Sequence, residues 1–410
     1  MSGGPLAGVR IVESSMLGPA AITTHLVDLG AEVIKVEPPQ GDYIREMTWP
    51  IVEGVSLMHL HINRGKRSIV LDLRVPEAVD VYLDLVRGAD AVVEAMRPGG
   101  LERRGLGYER LREVNPRIVF CTISGYGMTG PYAEMPSHGV AYDTWAGIVK
   151  PAVDDAGFTY LPEHASIGIH AGPMFGALGI LAGIIEARTT GRGSRLEIAQ
   201  SDAAAAMDWL RSETWRAYER PETEVTGNKA DGYERRAPGT GGMEDGVRYN
   251  AYESADGHVL FMASEQEFWR NFCEAVGRTD LFERWPGSKY ADHAKGNTQL
   301  RAELRTIFRE RTTAEWLDLA RNSNTAIAPV NSPRSLPSDP QFGARFDWLP
   351  ADRMGADQLP TPPKFLDGDL TAPSRAPSVG QHTREVLADV LGYAEGDISR
   401  LDAAGAFGAV

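Results

Sequence analysis

The sequence predicts an α/β protein of two domains, the larger of which is built on a mainly parallel, doubly wound sheet. Short strands alternate with helices from the start of the chain to Ser124, and such an alternation is typical of βαβ units. A chain of 410 residues is too long for one ordinary domain and short for three. The composition, with 42% hydrophobic and 24% charged residues, is typical of a globular protein.

The elements of the larger domain are predicted from the hydrophobic pattern and from turn residues. Val9–Val12 is an apolar, β-branched strand, and Gly30 is placed as the C-terminal cap of the helix that follows it. A later helix, over 172–188, is rich in glycine and alanine and is therefore expected to pack closely against another backbone. The predicted strands are 9–12, 32–37, 68–73, 91–94, 118–123 and 194–199, and the predicted helices are 20–29, 76–87, 109–115, 141–148, 172–188 and 202–217.

A second unit is expected after a connection rich in glycine, proline and charge over 220–248. It begins with a hairpin, in which strands 249–252 and 258–262 are joined around Asp256–Gly257. The predicted helices after the hairpin are 265–276, 297–311 and 313–322, followed by a proline-rich stretch and a last helix over 382–391.

Charge, cysteine content and apolar run length exclude several classes of protein. The net charge of −14 argues against a nucleic-acid partner, which needs a basic face. Two cysteines, Cys121 and Cys273, are too few and too far apart for a disulfide framework, and the histidines lack metal-type spacing, so we predict no metal site. The longest apolar stretch is shorter than the roughly 20 residues that span a membrane. Without a signal-type start, we expect a soluble, cytoplasmic protein.

A local basic cluster suggests a site for an anionic ligand despite the global charge. Arg64, Lys66 and Arg67 precede the third predicted strand, while Arg97, Arg103 and Arg104 follow the fourth. Ligands of open parallel sheets bind at the ends of the strands, where arginine and lysine can pair with phosphates. A solvated charged surface is the alternative interpretation. A Gly-x-Gly-x-x-Gly run at Gly125–Gly130 precedes Pro131 and no obvious helix, so it is a weak dinucleotide signature.

An ordered series of short motifs resembles a known family over nearly the whole chain. The motifs are Leu6–Val12, Gly18–Pro19, Leu29–Glu37, Gly41–Asp42, Asn63–Ser68, Leu71–Leu73, Ala89–Asp90, Glu94, Arg97–Gly99, Gly105–Tyr108, Asn115–Val119, Ser124–Gly127, Thr190–Gly193, Arg248–Tyr249, Asp256–Gly257, Ala328–Val330 and Gly380–Thr383. The series is similar to the family III CoA-transferases, the CaiB/BaiF group of formyl-CoA, carnitine and bile-acid CoA-transferases, which also includes acyl-CoA racemases.

The resemblance implies a fold, a ligand and a mechanism. It implies a Rossmann-like large domain at 1–222 and 331–410, a small domain at 223–330, and two chains interlocked as a homodimer. Coenzyme A, a substrate and not a permanently bound cofactor, would move between an acyl-CoA and a carboxylic acid through an aspartate that attacks the thioester. The residues placed near CoA by the resemblance and the basic cluster are Ser14, Met16, Arg64, Lys66, Arg67, Leu71, Ala95, Met96, Arg97, Arg103, Arg104 and Gly125.

The position of the family's nucleophilic aspartate is occupied here by Ile169, directly after Gly168. Isoleucine has no nucleophilic atom, so the aspartyl route cannot run through it. The chain is then either a homologue that binds acyl-CoA without ordinary transfer or uses another group, or an altered variant of a working transferase. A register shifted by a few residues is the remaining alternative, and it is disfavoured because no aspartate lies between Asp155 and Asp202. Glu163 is a candidate substitute nucleophile, although it also fits a solvated loop acid.

His138 suggests a third possibility. It stands at the position that resembles the catalytic histidine of the acyl-CoA racemases, where it would act as a general base beside the thioester carbonyl. A racemase also needs a second acid–base group, which in that subgroup is the aspartate missing here. A histidine hydrogen-bonded within the loop is the alternative structural role.

Overall fold

The chain forms two compact units in the computed structural model, which describes residues 3–47, 49–96, 99–227, 233, 235, 244–289, 292–368 and 370–408. The larger unit comprises Met1–Trp209 and Phe346–Val410, and the smaller one Leu210–Arg345. The predicted boundaries at 222 and 330 both lie inside the smaller unit. The compact unit therefore begins before and ends after the small domain that the resemblance implied.

The larger unit is organised around a six-stranded, fully parallel sheet in the order β10-β7-β6-β1-β2-β5. Two short antiparallel pairs, β3 with β4 and β8 with β9, lie outside this sheet. The strands of this unit are β1 Arg10–Ser14, β2 Glu32–Glu37, β3 Ile51–Val52, β4 Val55–Ser56, β5 Arg67–Val70, β6 Ala91–Glu94, β7 Val119–Ser124, β8 Ala152–Val153, β9 Thr159–Tyr160 and β10 Arg195–Ala199. The predicted α/β class with a parallel sheet is confirmed.

Helices cover the sheet and connect its strands. The predicted helix over 202–217 is in fact two helices, because the chain is interrupted at Asp208. The helices of the chain are α1 Ala21–Val27, α2 Leu57–Ile62, α3 Pro76–Arg87, α4 Tyr108–Val114, α5 Gly139–Trp145, α6 Ile167–Thr190, α7 Gln200–Met207, α8 Trp209–Tyr218, α9 Gln266–Ala275, α10 Thr279–Arg284, α11 Thr298–Phe308, α12 Thr313–Ser323, α13 Pro340–Arg345, α14 Ala351–Met354, α15 Thr383–Glu385 and α16 Glu395–Ala403, with a π-helical turn at Val386–Val390.

Both faces of the sheet are buried, as parallel sheets require. Alternate residues of the central strands belong to two different hydrophobic clusters: Val12 and Phe120 lie in one, and Ile11 and Cys121 lie in the other. This alternation follows from the two-residue period of a strand. Short, apolar, β-branched strands therefore identify the core of this unit directly from the sequence.

The third predicted strand, 68–73, corresponds to β5, and it ends earlier than predicted, at the carboxyl edge of the sheet. Strand β5 ends at Val70, whereas the prediction extended to Leu73. The chain turns at Asp72, whose carbonyl accepts a hydrogen bond from the Val75 N–H at 2.8 Å, and α3 begins directly afterwards. The apolar residues of this turn were mistaken for strand because their pattern is the same in both settings.

Helix α6 is longer than predicted, since it begins at Ile167 and not at 172. It packs against α1, α7, β7 and β10, and Ile180 and Ile184 are buried in the core. By length and composition α6 could cross a membrane, but 50% of its most apolar window is buried inside the protein, as in a core helix. Gly168 and Gly172 allow its first turns to pack tightly against Gln200.

The smaller unit is α+β. Its sheet is antiparallel, in the order β11-β12-β13, formed by Tyr249–Glu253, His258–Met262 and Ile327–Pro329. Aromatic side chains fill its core: Phe261 lies 4.6 Å from Phe272 between ring centroids, and Phe308 lies 4.8 Å from Trp316. These large rings give a unit of this size a dense hydrophobic core of its own.

Candidate active site

A cavity of about 980 Å³ opens at the carboxyl ends of the parallel strands in the larger unit. Each of the six strands contributes residues at or just after its end, which is the expected ligand position in an open parallel sheet. We call this cavity the carboxyl-edge groove. The strand-end residues that line it are Ser14, Glu37, Leu71, Asp72, Leu73, Arg74, Ala95, Met96, Ile123, Ser124, Gly125 and Gln200.

The groove brings together most of the residues predicted for CoA and catalysis, although they are far apart in sequence. Arg104 is exposed on its wall, and a second arginine, Arg74, donates hydrogen bonds to Asp72 at 2.7 and 2.8 Å. These hydrogen bonds hold the pKa of Asp72 below its ordinary value. The predicted residues that line the groove are Ser14, Met16, Leu71, Ala95, Met96, Arg104, Gly125, His138 and Ile169.

Three of the predicted phosphate ligands point elsewhere, because they are held in internal ion pairs. Arg64 is 3% exposed and pairs with Asp28 at 2.5 Å. Lys66 is 1% exposed and lies 2.8 Å from Glu13, and Arg67 pairs with two glutamates. The basic run that suggested an anion site therefore serves chiefly to bind acidic side chains of the same unit.

Two further predicted residues, Arg103 and Glu163, lie outside the groove lining within the described part of the chain. Both are exposed. Arg97 falls outside the described residues. Glu163 consequently has no position from which to attack a ligand in the groove as the structure stands.

A buried charge cluster lies beneath the groove. Glu13 and Lys35 are both 0% exposed, and Lys35 Nζ lies 3.0 Å from Glu13 Oε1 and 3.2 Å from Asp42 Oδ2. Lys66 reaches the second oxygen of Glu13. Two ammonium groups and two carboxylates thus compensate one another in a site closed to solvent. Removing any one of these charges is expected to destabilise the folded protein strongly, because another buried charge is then left uncompensated.

The charge cluster also shapes the groove wall that follows β1. Lys35 donates to the Ser15 carbonyl at 2.6 Å, and the Leu17 N–H donates to Asp42 Oδ2 at 3.3 Å. Leu17 has φ 57° and ψ −147°, a region that residues other than glycine rarely adopt. The two hydrogen bonds hold the strained loop in place, and this loop presents Met16 and Leu17 to the groove.

Ile169 lies in the first turn of α6, where it forms one end of the groove. A methyl group built at Gly139 would stand 2.6 Å from Ile169 Cγ2, so Ile169 packs directly against the residue that follows His138. The same turn is fixed by Asp143, which is fully buried and accepts a hydrogen bond from the Gly168 N–H at 2.8 Å. The backbone around position 169 is therefore held by a carboxylate from α5.

Asp143 has a second partner in His164. His164 Nε2 lies 3.3 Å from Asp143 Oδ2, and its Nδ1 lies 3.1 Å from the carbonyl of Pro162. Because Asp143 is 0% exposed, it supports the start of α6 and does not face the groove as a nucleophile.

The groove residues that the sequence interpretation missed include Ser124, Tyr142 and Gln200. The Tyr142 hydroxyl lies 3.2 Å from Ser137 Oγ, and burial raises the pKa of this phenol. Ser124 ends β7 and Gln200 directly follows β10, so their place at strand ends was the available signal. Among the described residues, no three His, Cys, Asp or Glu side chains form a group that could hold a metal ion.

The fold and the groove define a doubly wound α/β protein that binds its ligand along the carboxyl edge of a parallel sheet. Comparisons with known proteins identify the group within this class. The sequence profile of CoA-transferase family III matches residues 6–383. The chain belongs to CoA-transferase family III.

Individual relatives agree with this assignment. The chain is 30% identical to the succinyl-CoA:glutarate CoA-transferase of Mus musculus, over 97% of this chain and 89% of that one. It is also 30% identical to the succinyl-CoA–D-citramalate CoA-transferase of Chloroflexus aurantiacus, over 97% of both. A crystal structure of a CaiB/BaiF family protein from Brucella suis superposes with a TM-score of 0.73 at 27% identity, covering 95% of this chain and all of that one.

Proposed function

We propose that this chain binds an acyl-CoA in the carboxyl-edge groove, within a reaction that moves CoA between an acyl-CoA and a carboxylic acid. One observation carries the proposal: a single groove joins the strand-end positions expected for CoA to position 169, where the family's nucleophile is expected. The relatives support the reaction class, and their names include both an unhydroxylated acceptor, glutarate, and a hydroxylated one, citramalate. CoA is a substrate in this proposal and not a resident cofactor.

Within this proposal, Ile169 occupies the place of the attacking carboxylate. In ordinary transfer, the carboxylate attacks the thioester carbonyl and releases the CoA thiolate, leaving a mixed anhydride. The thiolate then attacks the enzyme's acyl carbon, frees the original acid and forms an enzyme-bound thioester, which passes CoA to the acceptor. An isoleucine side chain cannot form either bond. The wild-type chain is therefore proposed to bind acyl-CoA without running this route.

The first test is CoA binding, with Arg104 as the predicted phosphate ligand. Arg104→Ala is expected to weaken CoA binding about tenfold to a hundredfold, because a charge-assisted hydrogen bond contributes about 1.5–3 kcal/mol. Calorimetric titration of CoA into the wild type and the variant measures the two dissociation constants. The difference between them should become smaller at high salt, which screens the charge of the arginine.

Arg112→Ala is the matched control, because Arg112 is exposed on α4 outside the groove lining and pairs with Glu109 at 3.7 Å. It should bind CoA as the wild type does. Equal affinity in wild type and Arg104→Ala would place the phosphates elsewhere. Failure of the wild type to bind CoA at all would overturn the proposed function.

The assembly and location are also proposals. We propose a cytoplasmic homodimer with interlocked chains and without nucleic-acid or membrane partners. The acidic composition supports the absence of a nucleic-acid partner. Helix α6 exposes the apolar side chains of Met174, Leu178 and Ile185, with 57%, 63% and 67% of their surface accessible, which supports an interface between two copies of the chain. Sedimentation of the purified protein measures the assembly, and a monomer would contradict it.

A second candidate activity rests on His138, which lines the groove beside Gly139 and Ile169. From there an imidazole could remove a proton next to a thioester carbonyl, as in an isomerase. Deuterium uptake at the α-carbon of a bound acyl-CoA in D₂O, lost in His138→Ala, would favour this activity over simple binding.

A further inference from the structure

The groove wall beside Ile169 contains two buried oxygens for which the described residues provide no hydrogen-bond partner. They are Gln200 Oε1 and Ser124 Oγ. Gln200 is only 3% exposed, and both residues line the groove. Leaving a buried polar group unsatisfied costs about 1–3 kcal/mol. A native protein rarely keeps two such groups together unless something else binds them.

The two residues line the same groove because Ser124 ends β7 and Gln200 begins α7 directly after the neighbouring strand β10. Ser124 pairs with Ala199 across β7 and β10, and Gln200 is the next residue along the chain. Gln200 is also packed against the start of α6: a methyl group built at Gly168 would stand 3.2 Å from the backbone carbonyl oxygen of Gln200, and one built at Gly172 would stand 2.8 Å from its Cγ. The glutamine is thus held against the first turns of α6, which also carry Ile169.

We propose that Gln200 and Ser124 bind a hydroxyl group on the acyl portion of the ligand. The amide oxygen of Gln200 can only accept a hydrogen bond, whereas the Ser124 hydroxyl can also donate one. An alcohol fits both, because its O–H donates to Gln200 and its oxygen accepts from Ser124. An alkyl chain would leave both oxygens unsatisfied, and an ionised carboxylate has no hydrogen to give to Gln200. The inference rests on the proposed function and selects hydroxyacyl-CoA thioesters as the substrate class.

Binding measurements on matched thioesters test this inference without requiring turnover. The probes are lactoyl-CoA with propionyl-CoA and 3-hydroxybutyryl-CoA with butyryl-CoA, which place the hydroxyl at two positions. Wild type is expected to bind at least one hydroxylated thioester about tenfold more tightly than its partner, since hydrogen-bonding sites discriminate strongly against ligands that lack the group. Calorimetry gives each dissociation constant.

Variants then attribute the preference to this wall. Gln200→Leu is expected to bring the affinity ratio to about one, and Ser124→Ala to lower the ratio in part. Gln266→Leu, in the smaller unit, is the control and should keep the full ratio.

The outcomes separate this inference from the proposed function. Equal affinities within both wild-type pairs, with CoA still bound, would overturn the inference alone and leave solvent as the occupant of the wall. A hydroxyl preference that survives in Gln200→Leu would overturn it as well. If no CoA thioester binds to the wild type, the proposed function fails and this inference fails with it.

Discussion

Ile169→Asp is expected to raise the rate of CoA exchange about 10³-fold or more above that of the wild type, because the proposed function leaves the wild type without the attacking carboxylate. The estimate follows from the size of losses when enzymes lose their nucleophile. The new carboxylate would stand in the first turn of α6, where the helix dipole favours negative charge by about 0.3–1 kcal/mol. Transfer from a panel of acyl-CoAs to labelled carboxylic acids measures it.

Ile169→Asn is the matched control, since asparagine has nearly the same shape as aspartate but no nucleophilic carboxylate. It should bind CoA and show no exchange. Mass spectrometry of the Asp variant with acyl-CoA should detect the enzyme-bound CoA thioester. If the Asp variant folds, binds CoA and still exchanges none across the panel, position 169 is not the site of the missing nucleophile.

Glu13→Gln is expected to cause the largest loss of stability, about 3–5 kcal/mol in the free energy of unfolding. The substitution removes the carboxylate that pairs with both Lys35 and Lys66, and an undercompensated buried charge is costly. Urea denaturation of wild type and variant measures the difference. Glu395→Gln, in the exposed pair with Arg384, should change nothing measurable.

The pH dependence of stability provides an independent check on the same carboxylate. Burial alone would raise the pKa of Glu13, but Lys35 and Lys66 outweigh burial and lower it to about 2 from an ordinary value of 4.5. Its stabilisation is therefore complete above pH 4.5 and is lost as the pH falls towards 2. The stabilities of wild type and Glu13→Gln should converge over this range; a constant difference would contradict the assignment.

Much of the fold could be predicted because its determinants are local. All six strands of the parallel sheet were predicted near their observed positions, since each is short, apolar and followed by a turn or helix. The family resemblance supplied what the pattern lacked, namely which strand ends meet in one site. The start of α6 was placed at 172 and not at Ile167, because the packing of Gly168 and Gly172 against Gln200, which belongs to another element, is not visible in the local sequence.

The candidate site was predicted only in part, for a physical reason. Arg64 and Lys66 have the composition of a phosphate site, but their partners Asp28 and Glu13 lie far away in sequence, so no local pattern reveals the ion pairs. Gln200 and Ser124 matter because neighbouring strands bring them together and leave their oxygens unsatisfied. Both facts depend on the packed structure, which hydrophobic periodicity does not specify.

The most direct measurement of the central claim is a crystal structure of the wild-type protein with bound CoA. The proposal predicts that the nucleotide lies along the strand ends at Leu71–Arg74 and Ala95–Met96, with Arg104 at a phosphate and the sulfur next to Ile169. CoA bound outside the carboxyl-edge groove, or with its sulfur directed away from Ile169, would contradict the account.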